Sequence, residues 1–129
     1  MSRGPVGGIL DRYPTLKLSI LESNCGWLPF WTQRLDEHFE KLRPQWHLCQ
    51  RKPSEIIASG QVALTCEPEE EILPYVLDTM GPHMVMYASD YPHWDCEFPE
   101  SVRMVASIPG LTDEQKRRVL GRNAIAWFG

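Results

Sequence analysis

Four polar residues that could carry out acid–base chemistry follow a short apolar run at residues 84–88; they are Ser89, Asp90, His93 and Asp95. Histidine exchanges a proton near neutral pH, and carboxylates act as general bases. Proline and glycine flank the apolar run, which favours a strand buried in a parallel sheet. Because the active sites of such sheets and barrels lie beyond the carboxyl ends of their strands, the sequence predicts a reactive site here.

Each of these residues also has a simpler interpretation. Asp90 could be a turn former, since aspartate is common directly after strands. His93 could orient a substrate or act as an acid, or it could be an exposed loop histidine. Asp95 is predicted to cap the following helix or to accept a hydrogen bond from His93, and not to contact a metal.

Other side chains could complete a pocket. Glu22 and Ser23 end the predicted strand at residues 16–22 and are expected near the site, with ordinary loop solvation as the alternative. An aromatic wall for a ring substrate could come from three tryptophans, Trp27, Trp31 and Trp94, although core packing is the preferred interpretation for Trp31. A basic cluster is predicted to be a solvated loop instead of a carboxylate site; it comprises Arg43, Arg51 and Lys52.

Periodicity predicts the elements that position these residues. Apolar runs predict strands at residues 16–22, 62–66 and 84–88, and apolar side chains at steps of three and four predict helices at 27–42, 69–80 and 97–108. Ser54 is predicted to cap a short helix over 55–59, and Thr112 with Gln115 forms a capping box. Gly121 is expected to break the helix that follows, before a last one at 123–128. This alternation predicts an α/β fold with parallel strands.

Composition excludes several classes of protein. The net charge of −4 lacks the basic face that nucleic-acid binding requires, and no apolar run is long enough to span a membrane. Four scattered cysteines without close spacing argue against a cysteine zinc cluster and favour reduced thiols in a cytoplasmic protein. Residues 1–8 are predicted to be flexible.

Four stretches together resemble a known family. They are the strand at 14–22, the start of the next helix at 26–36, Ser-Asp-Tyr-Pro-His-Trp-Asp at 89–95 and Leu-Gly-Arg-Asn-Ala-Ile-Ala-Trp-Phe at 120–128. The chain resembles the C-terminal part of amidohydrolase-related proteins, which include aminocarboxymuconate-semialdehyde decarboxylase and related aromatic-acid decarboxylases. The resemblance implies a partial TIM barrel, with residues 1–129 supplying about the last three of its β/α units.

The family also implies a divalent metal, zinc or else manganese, at the carboxyl ends of the strands. By this resemblance Asp90 occupies the position of the last-strand aspartate, as metal ligand or general base, and His93 is a second catalytic residue. Glu22 stands where decarboxylase-type members place a histidine. Glu22, as a pocket residue, and Trp94, as part of an aromatic wall, are predicted to contact the substrate. The His-x-His pair that the family places on its first strand is absent from the sequence.

The resemblance therefore predicts a fragment of a metal-dependent hydrolase or non-oxidative decarboxylase for small substrates, including aromatic or carboxylate ones. Its partners would be the substrate and either further copies of the chain or a missing N-terminal part of the barrel. The alternative is an inactive remnant, or an oligomerising interaction module, that binds no metal.

Overall fold

A three-stranded parallel sheet organises the chain. The structure is a computed structural model that describes residues 8–129, so residues 1–7 of the segment predicted to be flexible lie outside the described part. The strands are β1 (Leu18–Ile20), β2 (Val62–Cys66) and β3 (Val85–Tyr87), in the spatial order β1–β2–β3. The register pairs Leu18 with Val62 and Leu64 with Val85. The predicted α/β fold with parallel strands is confirmed.

Helices connect the strands and cover the sheet. They are α1 (Ile9–Arg12), α2 (Leu28–Lys41), α3 (Pro53–Ile56), α4 (Leu73–Met80), α5 (Ser101–Ser107), α6 (Asp113–Arg117) and α7 (Asn123–Phe128). A 3-10 turn (Arg43–Trp46) follows α2, and wider π-type segments extend α3 (Ile57–Gln61) and join α6 to α7 (Arg118–Arg122). Among residues 8–129, no helix is both long and apolar enough to cross a membrane.

The core lies between the sheet and its helices. All five residues of β2 are buried, because this strand has a neighbour on each side and shares the core cluster with residues of α2, α3 and α4. Apolar side chains from each layer contribute to the core, including Leu28, Ile56, Leu64, Leu73, Leu77, Val85, Val105 and Val119. This burial accounts for most of the apolar free energy of the fold, at about 25 cal/mol per Å² of surface removed from water.

Side-chain hydrogen bonds attach the C-terminal helices to the sheet. The buried Asn123 Nδ2 donates to the backbone oxygens of Pro82 and Val85, both at 2.7 Å. The hydroxyls of Tyr87 and Ser101 lie 2.6 Å apart and join β3 to α5. Lys17 Nζ donates to the Trp127 backbone oxygen at 3.0 Å and thereby links the start of β1 to α7. The bonds of Asn123 and Tyr87 hold β3, which leads into the predicted site.

Three local predictions were wrong. Ser54 caps nothing: the helix begins at Pro53, and Lys52 is its N-cap, with Glu55 Oε2 accepting from the Lys52 N–H at 2.7 Å. Gly121 does not break the helix, because it lies inside the π-type segment that makes α6 and α7 continuous. Trp31 is 48% exposed instead of packed in the core, and its ring lies edge-to-face against the exposed Phe30, with 5.6 Å between the ring centroids.

Candidate functional site

The predicted site residues lie together at the carboxyl ends of the strands. Glu22 follows β1 by two residues, and Asp90 and His93 follow β3 by three and six. Parallel strands bring their carboxyl ends to one edge of the sheet, so these loops meet there. One potential ligand atom from each of Glu22, Asp90 and His93 lies within 4.8 Å of the others. The three side chains thus form a single group.

Asp90 and His93 are joined by two hydrogen bonds. His93 Nδ1 lies 2.9 Å from Asp90 Oδ2, and the His93 N–H donates to the Asp90 backbone oxygen at 2.9 Å. The side chain of Asp90 is 17% exposed, whereas that of His93 is 58% exposed. The bond to the Asp90 carboxylate, together with the negative charges of Asp90 and Glu22, raises the pKa of His93. The imidazole therefore holds its proton to higher pH than a free histidine does, which suits a proton donor.

Left-handed backbone is concentrated at this edge of the sheet. Glu22 has a φ of 53°, Asn24 of 55° and Asp90 of 53°, and none of the three is glycine. Such conformations are unfavourable for residues that carry a Cβ, and they persist where the surrounding contacts hold them. At Glu22 and Asp90 the turn redirects the chain directly after a strand.

An acidic cleft of about 390 Å³ opens beside the group. Its lining consists almost entirely of carboxylates: Glu22, Asn24, Glu67, Glu69, Glu70, Asp90 and Asp95. Burial raises the pKa of Glu67, and the negative charges of Asp90 and of neighbouring glutamates raise it further. Crowding of like charges in one cleft is unfavourable unless a cation or a proton offsets it, so this lining favours a positively charged occupant.

Glu70 holds the loop that follows β1. Although buried, its carboxylate accepts backbone hydrogen bonds from Cys25, Gly26 and Glu67 at distances between 2.9 and 3.2 Å. The Cys25 thiol also lies 3.4 Å from Glu70 Oε2. The sequence does not reveal this role, because Glu70 lies in an acidic run that is predicted to be helical. Two of its backbone partners, Cys25 and Gly26, lie more than 40 residues away, so no local signal identifies these contacts.

The two thiols near Glu70 are not nucleophiles. Burial, followed by the negative charge of Glu70, raises the pKa of both Cys25 and Cys66, the latter to about 12. A thiol needs its thiolate form to react, so these groups are inert near neutral pH.

The remaining predicted residues lie around the group in different ways. Trp94 is 94% exposed at the loop surface. Asp95 lines the cleft, but His93 bonds to Asp90 and not to Asp95, and the N-cap of α5 is Glu100, so both predicted roles of Asp95 were wrong. Ser23 contributes its backbone oxygen, which accepts from Trp27 Nε1 at 2.8 Å.

The basic cluster does not reach the cleft. Arg51 binds Asp11 and Gln61 beside the opposite, N-terminal end of β2. Lys52 pairs with Glu40, and Arg43 donates to the Cys49 backbone oxygen at 2.7 Å. These residues therefore make structural contacts away from the cleft, which the prediction of a solvated loop did not include.

Comparison with known proteins identifies relatives of the whole chain. The model of a family described as amidohydrolase matches residues 3–129. The 2-amino-3-carboxymuconate-6-semialdehyde decarboxylase of Dictyostelium discoideum is 30% identical over 127 residues, which cover 95% of this chain and 34% of the relative.

Solved structures give the same result. The 5-carboxyvanillate decarboxylase of Sphingomonas paucimobilis superposes with a TM-score of 0.79 at 28% identity, covering 95% of this chain and 36% of that one. A 5-carboxyvanillate decarboxylase of Novosphingobium aromaticivorans, solved with bound manganese and 3-methoxy-4-hydroxy-5-nitrobenzoic acid, superposes with a TM-score of 0.75 at 26% identity, covering 94% and 35%. The chain spans about a third of the length of these relatives, which are TIM barrels. The predicted partial barrel is confirmed.

Proposed function

We propose, from the premise that this chain belongs to the amidohydrolase family, that it carries part of the active site of a metal-dependent hydrolase or non-oxidative decarboxylase. The observation that carries the proposal is the convergence of Glu22, Asp90 and His93 within 4.8 Å at the carboxyl ends of the strands. In TIM-barrel enzymes this edge is where catalytic residues lie. Family membership and geometry therefore point to the same three residues.

The donor set suits a divalent cation. The two carboxylates of the group are ligands that zinc and manganese both accept, and the cleft beside them is acidic. A relative contains manganese, and zinc is the ion expected from the sequence. Such a cation acts as a Lewis acid that polarises a carbonyl or carboxyl oxygen. Asp90 and Glu22 would hold the cation. The experiment below distinguishes zinc from manganese.

Side chains of this chain would supply the ligand, base, acid and substrate contacts of the reaction. Asp90, which is largely buried, is a ligand and a general base, and it keeps His93 in place through the 2.9 Å hydrogen bond. His93, with its raised pKa, delivers a proton to the reacting carbon or to a leaving group. Glu22 was predicted to contact the substrate, and its place in the group adds a role as ligand. Trp94 offers an exposed ring that can stack on an aromatic substrate.

The substrate class follows from the relatives. The three decarboxylases named above act on two compounds that carry carboxyl groups, and one of these compounds, 5-carboxyvanillate, is aromatic. We extend this class to the present chain: small carboxylate-bearing substrates in a cytoplasmic protein. Because the cleft described here is acidic, the cationic groups that bind such a carboxylate would come from the remaining β/α units of the barrel or from the metal.

An inactive, oligomerising fragment is the second candidate. The chain matches only about a third of its relatives, and its four histidines, His38, His47, His83 and His93, include no His-x-His pair. Without that pair, the metal would have to be held by Glu22 and Asp90 or by histidines from another polypeptide segment.

Elemental metal analysis of the purified chain separates these candidates. We expect near-stoichiometric zinc or manganese in the wild type and its loss in Asp90→Ala. Asp78→Ala is the matched control, because Asp78 lies on α4, where it accepts from Gln115 Nε2 at 2.8 Å, outside the cleft. Metal retained by Asp90→Ala would contradict the assigned ligand. A metal-free wild type that also fails to bind added Mn²⁺ would favour the inactive fragment.

A further inference from the structure

The two carboxylates of the candidate metal group come from strands that are not neighbours. β2 lies between β1 and β3, so Glu22 and Asp90 leave strands that are roughly 10 Å apart at the usual strand spacing. Their potential ligand atoms nevertheless lie within 4.8 Å of one another. A contact within the protein must therefore direct the Glu22 side chain across the end of β2.

Thr65 makes the contact that does this. The pairing of β1 with β2 ends at Ile20 and Leu64, and beyond it the Glu22 N–H donates to Thr65 Oγ1 at 3.0 Å. Thr65 is 4% exposed and lies within β2, the strand over which the Glu22 side chain must reach. A side-chain hydroxyl thus replaces the backbone acceptor that a continued ladder would offer. The chain can then turn left-handed at Glu22, where φ is 53°.

We propose that Thr65 is a positioning residue, which holds the Glu22 backbone in its left-handed turn so that the Glu22 carboxylate meets Asp90 and His93. The proposal rests on the metal site proposed above. β2 contributes no residue to the group. Through Thr65, however, it would bring together the carboxylates that follow its two neighbouring strands.

The rest of the loop has its own support. Glu70 binds the N–H groups of Cys25 and Gly26 independently of Thr65. Loss of the Thr65 hydroxyl should therefore leave the loop folded and release only the segment around Glu22. This separates positioning of the carboxylate from general stability of the fold.

Thr65→Val removes the acceptor at nearly constant shape, and Thr65→Ser restores it. Thr32→Val is the matched control, because Thr32 is also buried and its hydroxyl donates to the Leu28 backbone oxygen at 2.7 Å, on α2 and outside the cleft. Two readouts are needed for each variant. They are the affinity for Mn²⁺, by calorimetry or electron paramagnetic resonance, and the hydrogen-exchange rate of the Glu22 amide in the metal-free chain.

For Thr65→Val we expect Mn²⁺ affinity to fall by roughly tenfold and Glu22 amide exchange to accelerate by about the same factor, as for loss of one hydrogen bond. Thr65→Ser and Thr32→Val should stay within about twofold of wild type in both readouts. Unchanged exchange in Thr65→Val would overturn the proposal, as would faster exchange with wild-type affinity. If the wild type binds no Mn²⁺, the proposed metal site fails. The positioning claim is then decided by exchange together with the nuclear Overhauser contacts between Glu22 and His93, which must weaken in Thr65→Val.

Discussion

Backbone conformation at the candidate site works against stability. Glu22, Asn24 and Asp90 all adopt φ values near the left-handed region's centre, which a Cβ atom disfavours. Asparagine and aspartate tolerate this conformation better than most residues, but glutamate does not. All three line the acidic cleft. An unfavourable conformation that recurs in one cleft is typical of a functional site, where stability is given up for geometry.

Substitution by glycine should reveal this cost. We expect Glu22→Gly and Asp90→Gly to have a free energy of unfolding about 1 kcal/mol higher than Glu22→Ala and Asp90→Ala, respectively, because only the alanine variants retain a Cβ. Both members of each pair lose the carboxylate, so the difference isolates the backbone. Denaturant unfolding measures it.

The control lies in a regular helix. Gln33 is exposed in the middle of α2, where glycine should instead be about 1 kcal/mol less stable than alanine. Equal stability of the glycine and alanine variants at positions 22 and 90 would show that no backbone cost is present there.

At the scale of elements, a polar network fixes the N-terminal end of β2. The side chain of Asp11 is 6% exposed, and its Oδ1 accepts from Arg51 Nε at 2.7 Å. Arg51 also donates to Gln61 Oε1 at 2.7 Å, and Gln61 Nε2 donates to the Leu10 backbone oxygen at 3.0 Å. The network joins α1, the loop before α3 and Gln61, the residue that directly precedes β2. It keeps the end of the sheet opposite the cleft rigid.

The network makes stability depend on pH. Burial alone would raise the pKa of Asp11, but hydrogen bonds from the Arg51 side chain and from the Gln50 and Arg51 backbone outweigh it and hold that pKa below its ordinary value of 3.8. A depressed pKa in the folded state adds stability above the unfolded-state pKa, and this stability is lost as pH falls through the folded-state value. Asp11→Asn should therefore be destabilised by roughly 2 kcal/mol near neutral pH, the usual worth of charge-assisted bonds.

The same variant should lose its disadvantage in acid. We expect the difference in unfolding free energy between wild type and Asp11→Asn to shrink progressively below pH 3.8, as measured by denaturant unfolding across the pH range. Asp113→Asn, at an exposed helix start, should show no comparable trend. A difference that is independent of pH would mean that packing, and not charge, makes Asp11 important.

How far the sequence predicts these elements depends on how local their causes are. β2 was predicted with its observed bounds because Gly60 and Pro68 delimit an apolar run. The capping box of Thr112 and Gln115 is also present, since its cause lies within four residues. The edge of the sheet that holds Asp90, His93 and Glu22 followed from strand direction and resemblance. Glu70 and Thr65 could not be found, because each acts on a loop more than 40 residues away in the sequence.

At the scale of the whole molecule, the sheet resembles part of a closed structure. Within residues 8–129, β1 and β3 each pair on one side only. Apolar side chains are exposed close to these edges: Leu21 directly after β1, Trp31 on α2, and Ile125 and Phe128 on α7. Exposed strand edges and apolar surface both promote association with other chains. In a complete barrel the neighbouring β/α units would cover them.

Self-association of the isolated chain is therefore the expected behaviour. Leu21→Lys and Phe128→Lys should lower the weight-average mass in sedimentation equilibrium, because a charge on an edge disfavours pairing there. Tyr75→Lys is the matched control: Tyr75 is similarly exposed but lies on α4, which follows the central strand. If the wild type is a monomer that melts sharply, then the exposed sheet edges do not cause self-association. An equal decrease in mass for Tyr75→Lys would instead attribute association to overall charge, and the edges would then have no special part in it.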